Sequence, residues 1–159
     1  MNFKAIILAA GKGTRMKSKY PKVVHKVCGK EMVNHVISVS KKSGVNDIVA
    51  ILGHESDVVK EKLPKDTMIA MQTDQLGTGH AVMMAKDFLE KHSGNVVILN
   101  GDAPFMDAKT ISDALALHTE KGSVATVISA KVSDPTGYGR IVRDENNNFL
   151  KIVEQKDCN

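Results

Sequence analysis

Tryptophan is missing from this 159-residue chain, and aromatic residues make up only 4% of it. Stacking platforms for bases or sugar rings need aromatic faces, so that whole class of binding surface is weakened from the start. Cysteine is scarce too. Cys28 and Cys158 lie far apart in a chain without an export signal, so reduced thiols in a cytoplasm are the expectation. No apolar run approaches a membrane span, and Ala5 to Ala10 is too short for the apolar core of a signal peptide. None of the six histidines stands in a His-x-x-x-His spacing and there is no Cys-x-x-Cys, which argues against zinc. Hydrophobic residues at 42% and charged residues at 25% are ordinary globular usage, and the length suits a single domain over residues 1–159.

Acidic residues are nearly absent from the first 43 positions. Ten Lys and Arg stand there against one acid, Glu31, a net +9, while residues 44–159 carry 12 basic and 17 acidic residues, a net −5. Such a basic segment suits nucleic acid, an anionic membrane or a phosphate-bearing small molecule. Lys12, Arg15, Lys17, Lys19 and Lys22 share one glycine-containing loop, which favours the small molecule, with neither nucleic acid nor membrane as partner.

Phe3 to Ala9 reads as a buried strand ending at Gly11. Val33, Val36, Ile37 and Ser40 recur at helical spacing, with Gly44 as the stop. Asp47 to Leu52 is a second strand, Ser56 to Leu63 a short helix ended by Pro64, and Met68 to Met71 a third strand. Thr78 to Lys91 follows as a helix with Ala81, Met84, Ala85 and Phe88 on its apolar face. Val96 to Leu99 is a fourth strand, then come a helix from Lys109 to Glu120, a strand from Val124 to Lys131, and a hairpin pairing 139–143 with 149–154. Continuous Val/Ile/Leu strands alternating with helices predict an α/β fold with a mainly parallel sheet covered on both faces. Ligands bind such sheets at the carboxyl ends of the strands, which marks the loops 10–22, 72–79 and 100–105.

The first loop runs Leu8-Ala9-Ala10-Gly11-Lys12-Gly13-Thr14-Arg15-Met16 and closes at Pro21-Lys22. Glycines let backbone N–H groups approach an anion, and Arg15 and Lys22 add charged donors. It is neither a P-loop, lacking Gly-Lys-Ser/Thr, nor a dinucleotide fingerprint, having Met16 where the third glycine belongs. A flexible turn with solvated lysines is the bland alternative. The second loop, Gln72 to Ala81, opens a helix, whose N-terminus favours anions. Its Gln72 and Gln75 amides can read both donor and acceptor edges of a base. Helix capping by Thr78 after a glycine turn explains the same residues without a ligand. In the third, Asn100-Gly101-Asp102-Ala103-Pro104-Phe105, Asp102 suits either a Mg²⁺ ligand or a turn residue.

Together the three loops resemble the sugar-nucleotide pyrophosphorylases. The resemblance rests on Leu8-Ala9-Ala10-Gly11-x-Gly13-Thr14-Arg15-Met16 with Pro21-Lys22, on Gln72 with Leu76-Gly77-Thr78-Gly79-His80-Ala81, and on Gly101-Asp102-x-Pro104. Pro135-Thr136-Gly137-Tyr138-Gly139-Arg140-Ile141-Val142 and Ile152-Val153-Glu154-Gln155-Lys156-Asp157 narrow it to the uridylyltransferase domains of the bifunctional bacterial enzymes that make UDP-N-acetylglucosamine. That resemblance implies a Rossmann-like three-layer nucleotidyltransferase domain. It implies Mg²⁺-dependent transfer of uridylyl from UTP to N-acetylglucosamine 1-phosphate, for cell-wall (peptidoglycan) precursor synthesis. Leu8, Ala9, Gly11, Gly13, Gln72, Gly77 and Thr78 would hold UTP. Arg15 and Lys22 would be catalytic, on the leaving pyrophosphate and the α-phosphate. Asp102 would bind Mg²⁺, and Gly137 and Glu154 would meet the sugar. The family's domain continues beyond Asn159 into further strands and then into an acetyltransferase β-helix that forms its trimer, so a C-terminally incomplete domain is expected here. The alternatives are a nucleotide-binding fragment without turnover, or a pyrophosphorylase for another nucleotide or sugar phosphate.

Overall fold

The computed structural model describes residues 2–11, 13, 16–53 and 55–157. In chain order the elements are β1 (Phe3–Ala9), a 3-10 turn (Lys22–Val24), β2 (Lys26–Val27), β3 (Lys30–Glu31), α1 (Met32–Lys42), β4 (Asp47–Leu52), α2 (Ser56–Lys60) and β5 (Met68–Met71). They continue with α3 (Thr78–Met83), α4 (Lys86–Leu89), β6 (Asn95–Asn100), α5 (Ala108–Lys121), β7 (Arg140–Arg143), β8 (Phe149–Val153) and a second 3-10 turn (Gln155–Asp157). The chain divides into two compact units, Met1–Leu117 and His118–Asn159.

The first unit is built on a four-stranded sheet in the order β5-β4-β1-β6, every pairing parallel. Alternation along β1 sorts its side chains between two cores. Phe3, Ala5, Ile7 and Ala9 pack with Val33, Val36 and Ile37 of α1 and Ile111 and Leu115 of α5. Ile6 faces the other way, with Val49 and Ile51 of β4, Ala81 of α3, and Ala85 between α3 and α4. The expected three layers are therefore present, and β1 and β4 are apolar on both faces because both are covered there, while Val96 and Ile98 of β6 stay exposed. Each fully buried Ile or Val here contributes roughly 1.5–3 kcal/mol of transfer free energy.

The four α1 residues picked out by helical spacing are its four buried residues, and Ser40 among them donates to the Val45 carbonyl at 3.2 Å. The predicted helix over 78–91 is instead two. After Met83 the backbone tightens to bonds from Met84 to Ala81 and from Ala85 to Val82, and α4 begins afresh. Ala81, Met84, Ala85 and Phe88 still form one apolar set. Lys4 Nζ donates to the Phe88 carbonyl at 2.8 Å and lies 4.3 Å from its ring centroid, pinning α4 to the sheet. Helix α2 is shorter than expected, closing at Lys60 before Pro64.

In the second unit the expected hairpin is formed by antiparallel β7 and β8, turning through Asn147 at φ 66°. The strand expected over 124–131 is not formed. Val124, Val127 and Ile128 are exposed, and no pairing involves them among the described residues; β-branched residues extend the chain but need a hydrogen-bonded neighbour to make a sheet. Among the described residues no helix is long and apolar enough to cross a membrane. Cys28 is a free, exposed thiol, and Cys158 lies outside the described residues.

Candidate functional site

The strand order reverses direction at β1: the chain steps outward to β4 and β5, then returns to the other side of β1 as β6. Crevices open at the carboxyl ends of strands around such a switch point. A cavity of about 430 Å³ lies there, lined from the first loop by Leu8, Ala10, Gly11, Gly13, Met16, Lys22 and Val23. The second loop lends Gln72, Gln75, Gly77, Thr78 and Ala81, and the third lends Asn100 and Asp102. The volume is that of a small-molecule site.

Leu8, Gly11, Gly13, Lys22, Gln72, Gly77, Thr78 and Asp102 are thus brought together as expected. Ala9 does not line the cavity: it is 3% exposed, and its side chain packs in the α1-side core. Its place at the cavity is taken by Ala10, which shares the face of Leu8. Arg15, with Lys12 and Thr14, lies outside the described residues. Gly137 and Glu154 belong to the second unit. There the Gly137 N–H, at φ +83°, donates to Gln155 Oε1 at 3.0 Å. Arg140 donates to the Pro135 carbonyl at 2.7 Å and to Gln155 Oε1 at 2.9 Å, and also to the Tyr138 carbonyl, so one guanidinium and one carboxamide organise that loop.

Backbone and carboxamide contacts fix the three loops of the cavity to one another. Gln75 Nε2 donates to the Ala10 carbonyl at 2.7 Å, joining the second loop to the first. The Gly101 N–H donates to the Leu8 carbonyl at 2.9 Å, joining the third to β1. Lys22 Nζ donates to Asp102 Oδ2 at 2.8 Å across the mouth. Gly13 has φ +61°, and a Cβ there would come within 2.7 Å of Lys22 Cβ, so only glycine lets the loop fold back on that lysine. Gly53, at the end of β4, is a site residue that sequence reasoning passed over. A Cβ on it would lie 2.6 Å from the Ala10 carbonyl oxygen and 3.0 Å from Gln75 Nε2. Its signal in the sequence was a glycine directly after a buried strand at the sheet's switch point.

The second loop has its own scaffold. Gln72 is 3% exposed, its N–H donates to the Leu52 carbonyl at 2.7 Å, and its Nε2 lies 3.1 Å from both the Gly77 carbonyl and His80 Nδ1. Gln72 is thereby the buried pivot of an otherwise exposed loop.

A parallel sheet whose strand-end loops present glycine backbone, a lysine and one carboxylate defines a phosphate- and nucleotide-handling domain. The chain belongs to the nucleotidyl transferase family, whose model matches residues 4–156. It is 64% identical over 159 residues to the Bifunctional protein GlmU of Clostridioides difficile (strain 630), covering 100% of this chain and 34% of that protein. It is 53% identical over 156 residues to the Bifunctional protein GlmU of Clostridium novyi (strain NT), covering 97% and 34% respectively. The chain spans about a third of the length of the curated relatives it matches. Among solved structures it is similar in fold to Rv0371c from Mycobacterium tuberculosis H37Rv, with TM-score 0.66, 16% identity, and coverage of 75% of this chain and 61% of that one. The manganese complex of Rv0371c gives TM-score 0.63 and 17% identity, over 76% of this chain and 61% of that one.

Proposed function

We propose that this chain carries the uridylyltransferase site that transfers uridylyl from UTP to N-acetylglucosamine 1-phosphate, giving UDP-N-acetylglucosamine and pyrophosphate. The observation that carries the reading is the single cavity into which the three marked loops deliver Gly11, Gly13, Lys22, Gln72, Gly77, Thr78 and Asp102. Similarity over the whole chain to Bifunctional protein GlmU from clostridia supports the substrates.

A phosphate oxygen of the sugar phosphate attacks the α-phosphorus of UTP. One O–P bond forms, the bond from the α-phosphorus to the bridging oxygen breaks, and pyrophosphate leaves with that electron pair. The attacking oxygen is already an anion, so no proton needs to be removed and no general base is required. What the protein supplies is alignment and cancellation of charge. Leu8, Ala10 and Gly11 with Gln72, Gly77 and Thr78 hold the nucleoside, Ala9 acting through its backbone alone. Gly13 lets the loop close, Lys22 neutralises charge at the α-phosphate, and Arg15 grips the departing pyrophosphate. Gly137 and Glu154 take the sugar, Glu154 as an acceptor for hydroxyl groups.

Among the described residues the cavity presents one carboxylate, Asp102, and no three His, Cys, Asp or Glu side chains converge to form a protein-only metal cage. That donor set fits Mg²⁺, which takes one or two carboxylates and completes its shell with substrate phosphates and water. When bound, the ion withdraws charge from the phosphate oxygens. Asp102 would hold it, and Lys22 would exchange its carboxylate partner for phosphate.

Phosphorus NMR of the chain mixed with UTP, N-acetylglucosamine 1-phosphate and Mg²⁺ tests the reading. The expected result is paired growth of diphosphate-sugar and pyrophosphate signals, with glucose 1-phosphate a poorer acceptor. Binding of UTP without new signals would favour a nucleotide-binding module instead.

A further inference from the structure

We propose that His80 is a positioning residue that, together with the Gly77 carbonyl, locks the hydrogen-bond polarity of Gln72 and, through it, the choice of base; this rests on the reading of the cavity as a UTP site. The Gly77 carbonyl oxygen accepts the Ala81 N–H at 3.1 Å and cannot donate, so the Gln72 carboxamide atom that faces it at 3.1 Å is the amino nitrogen. His80 Nδ1 also lies 3.1 Å from that nitrogen, within reach of its second hydrogen. For that bond to exist, Nδ1 must be the bare nitrogen and the ring proton must sit on Nε2. Both N–H groups of Gln72 are then spent inside the loop. Among the described residues no hydrogen bond engages its Oε1.

A carboxamide held this way offers its cavity a pure acceptor. Uracil answers an acceptor with its N3–H. Cytosine has a bare N3 at the same place, so two lone pairs would face each other. Held by Gly77 alone, the carboxamide would give up only one bond on rotating about Cγ–Cδ to turn its amino group toward a base acceptor. His80 removes that freedom. It stands on the first turn of α3, half-buried and absent from the cavity lining, so its effect on a base passes through Gln72.

The test is calorimetric titration of wild type, His80→Leu and His80→Asn with UTP and with CTP, Mg²⁺ present throughout. Leucine keeps bulk and loses the acceptor; asparagine restores an acceptor oxygen near the position of Nδ1. The UTP-to-CTP affinity ratio is expected to fall about tenfold in His80→Leu and to return in His80→Asn, the size expected for one misdirected hydrogen bond. A wild-type preference for UTP that persists within twofold in His80→Leu overturns the proposal and leaves the nucleotide site standing. Failure of the wild-type chain to bind either nucleotide overturns the underlying reading of the site. Nitrogen NMR of the ligand-free wild type adds a readout independent of variant folding. A bare Nδ1 coupled through the hydrogen bond to Gln72 Nε2 supports the proposal, and a proton on Nδ1 overturns it.

Discussion

Lys22 Nζ and Asp102 Oδ2 lie 2.8 Å apart, so the loop after β1 and the loop after β6 are joined by an ion pair across the cavity mouth. With side chains 35% and 40% exposed, the pair adds less than about 1 kcal/mol to folding. Both partners are therefore cheaply released to a phosphate and a cation.

From that relationship, Lys22→Ala and Asp102→Asn should leave the melting temperature nearly unchanged while damaging the reaction. In Lys22→Ala the loss should fall on kcat, by about 10- to 100-fold, with UTP affinity changing far less, because the α-phosphate gains charge mainly in the transition state. Asp102→Asn should raise the Mg²⁺ concentration needed for half-maximal rate more than it weakens UTP binding. Steady-state kinetics over a Mg²⁺ series separates the two. Equal losses in binding and turnover would remove the assigned roles.

Gly53→Ala should act on the cavity from behind. Its new methyl would press on the Ala10 carbonyl and on Gln75 Nε2, breaking the bond that ties the first loop to the second. UTP affinity is expected to fall about tenfold, on the scale of one lost positioning contact. Gln75→Leu should reproduce part of that loss with little change in melting. Calorimetry on both variants checks the pairing; Gly53→Ala binding UTP like wild type would contradict it.

Ile37→Ala empties the packing between α1 and the sheet, where Ile37 is 1% exposed. The expected cost is about 2–5 kcal/mol. Urea unfolding should show a lower midpoint at unchanged slope. A cost under about 0.5 kcal/mol would mean that α1 does not pack as described.

Asp107 caps α5. Its carboxylate accepts from the Lys109 N–H at 2.8 Å, from the Thr110 N–H at 3.1 Å and from the Thr110 hydroxyl at 2.5 Å. The Thr110 hydroxyl bond, followed by the two backbone N–H bonds, holds its pKa below the ordinary aspartate value. A folded pKa below the unfolded one stabilises the protein fully above the unfolded value near 4 and is lost as pH falls through the folded value. Asp107→Ala should therefore melt a few degrees lower at pH 7, with the gap to wild type closing below about pH 4. A gap that stays constant from pH 7 to pH 3 would show that the charge is not involved.

Much of this architecture was readable because burial writes a pattern. The runs Phe3 to Ala9 and Asp47 to Leu52 are largely apolar and buried on both faces, Val96 to Leu99 is apolar though buried on one side only, and the spacing of Val33, Val36, Ile37 and Ser40 marks one side of α1. The strand-end rule then located all three loops of the cavity. Period-two alternation puts the Ala9 side chain on the face opposite Leu8 and Ala10. The hairpin of β2 and β3 turns through Cys28 at φ 49° and Gly29 at φ 80°, but its two-residue strands are too short to leave any periodicity. Residues 124–131 failed in the opposite sense, since propensity cannot supply a pairing partner. The Gln75–Ala10 bond depends on side-chain reach between loops and the Gln72–His80 bond on how one loop folds back on itself, neither of which spacing along the chain encodes.

The most direct test of the nucleotide site is calorimetric titration of the chain with UTP and Mg²⁺, with ATP as the control. The site described here predicts saturable one-to-one binding of UTP and an affinity for ATP at least about tenfold weaker, as a purine would have to be fitted against Gln72 and the Gly77–Thr78 backbone. A chain that melts cooperatively yet takes up UTP no better than ATP would contradict it.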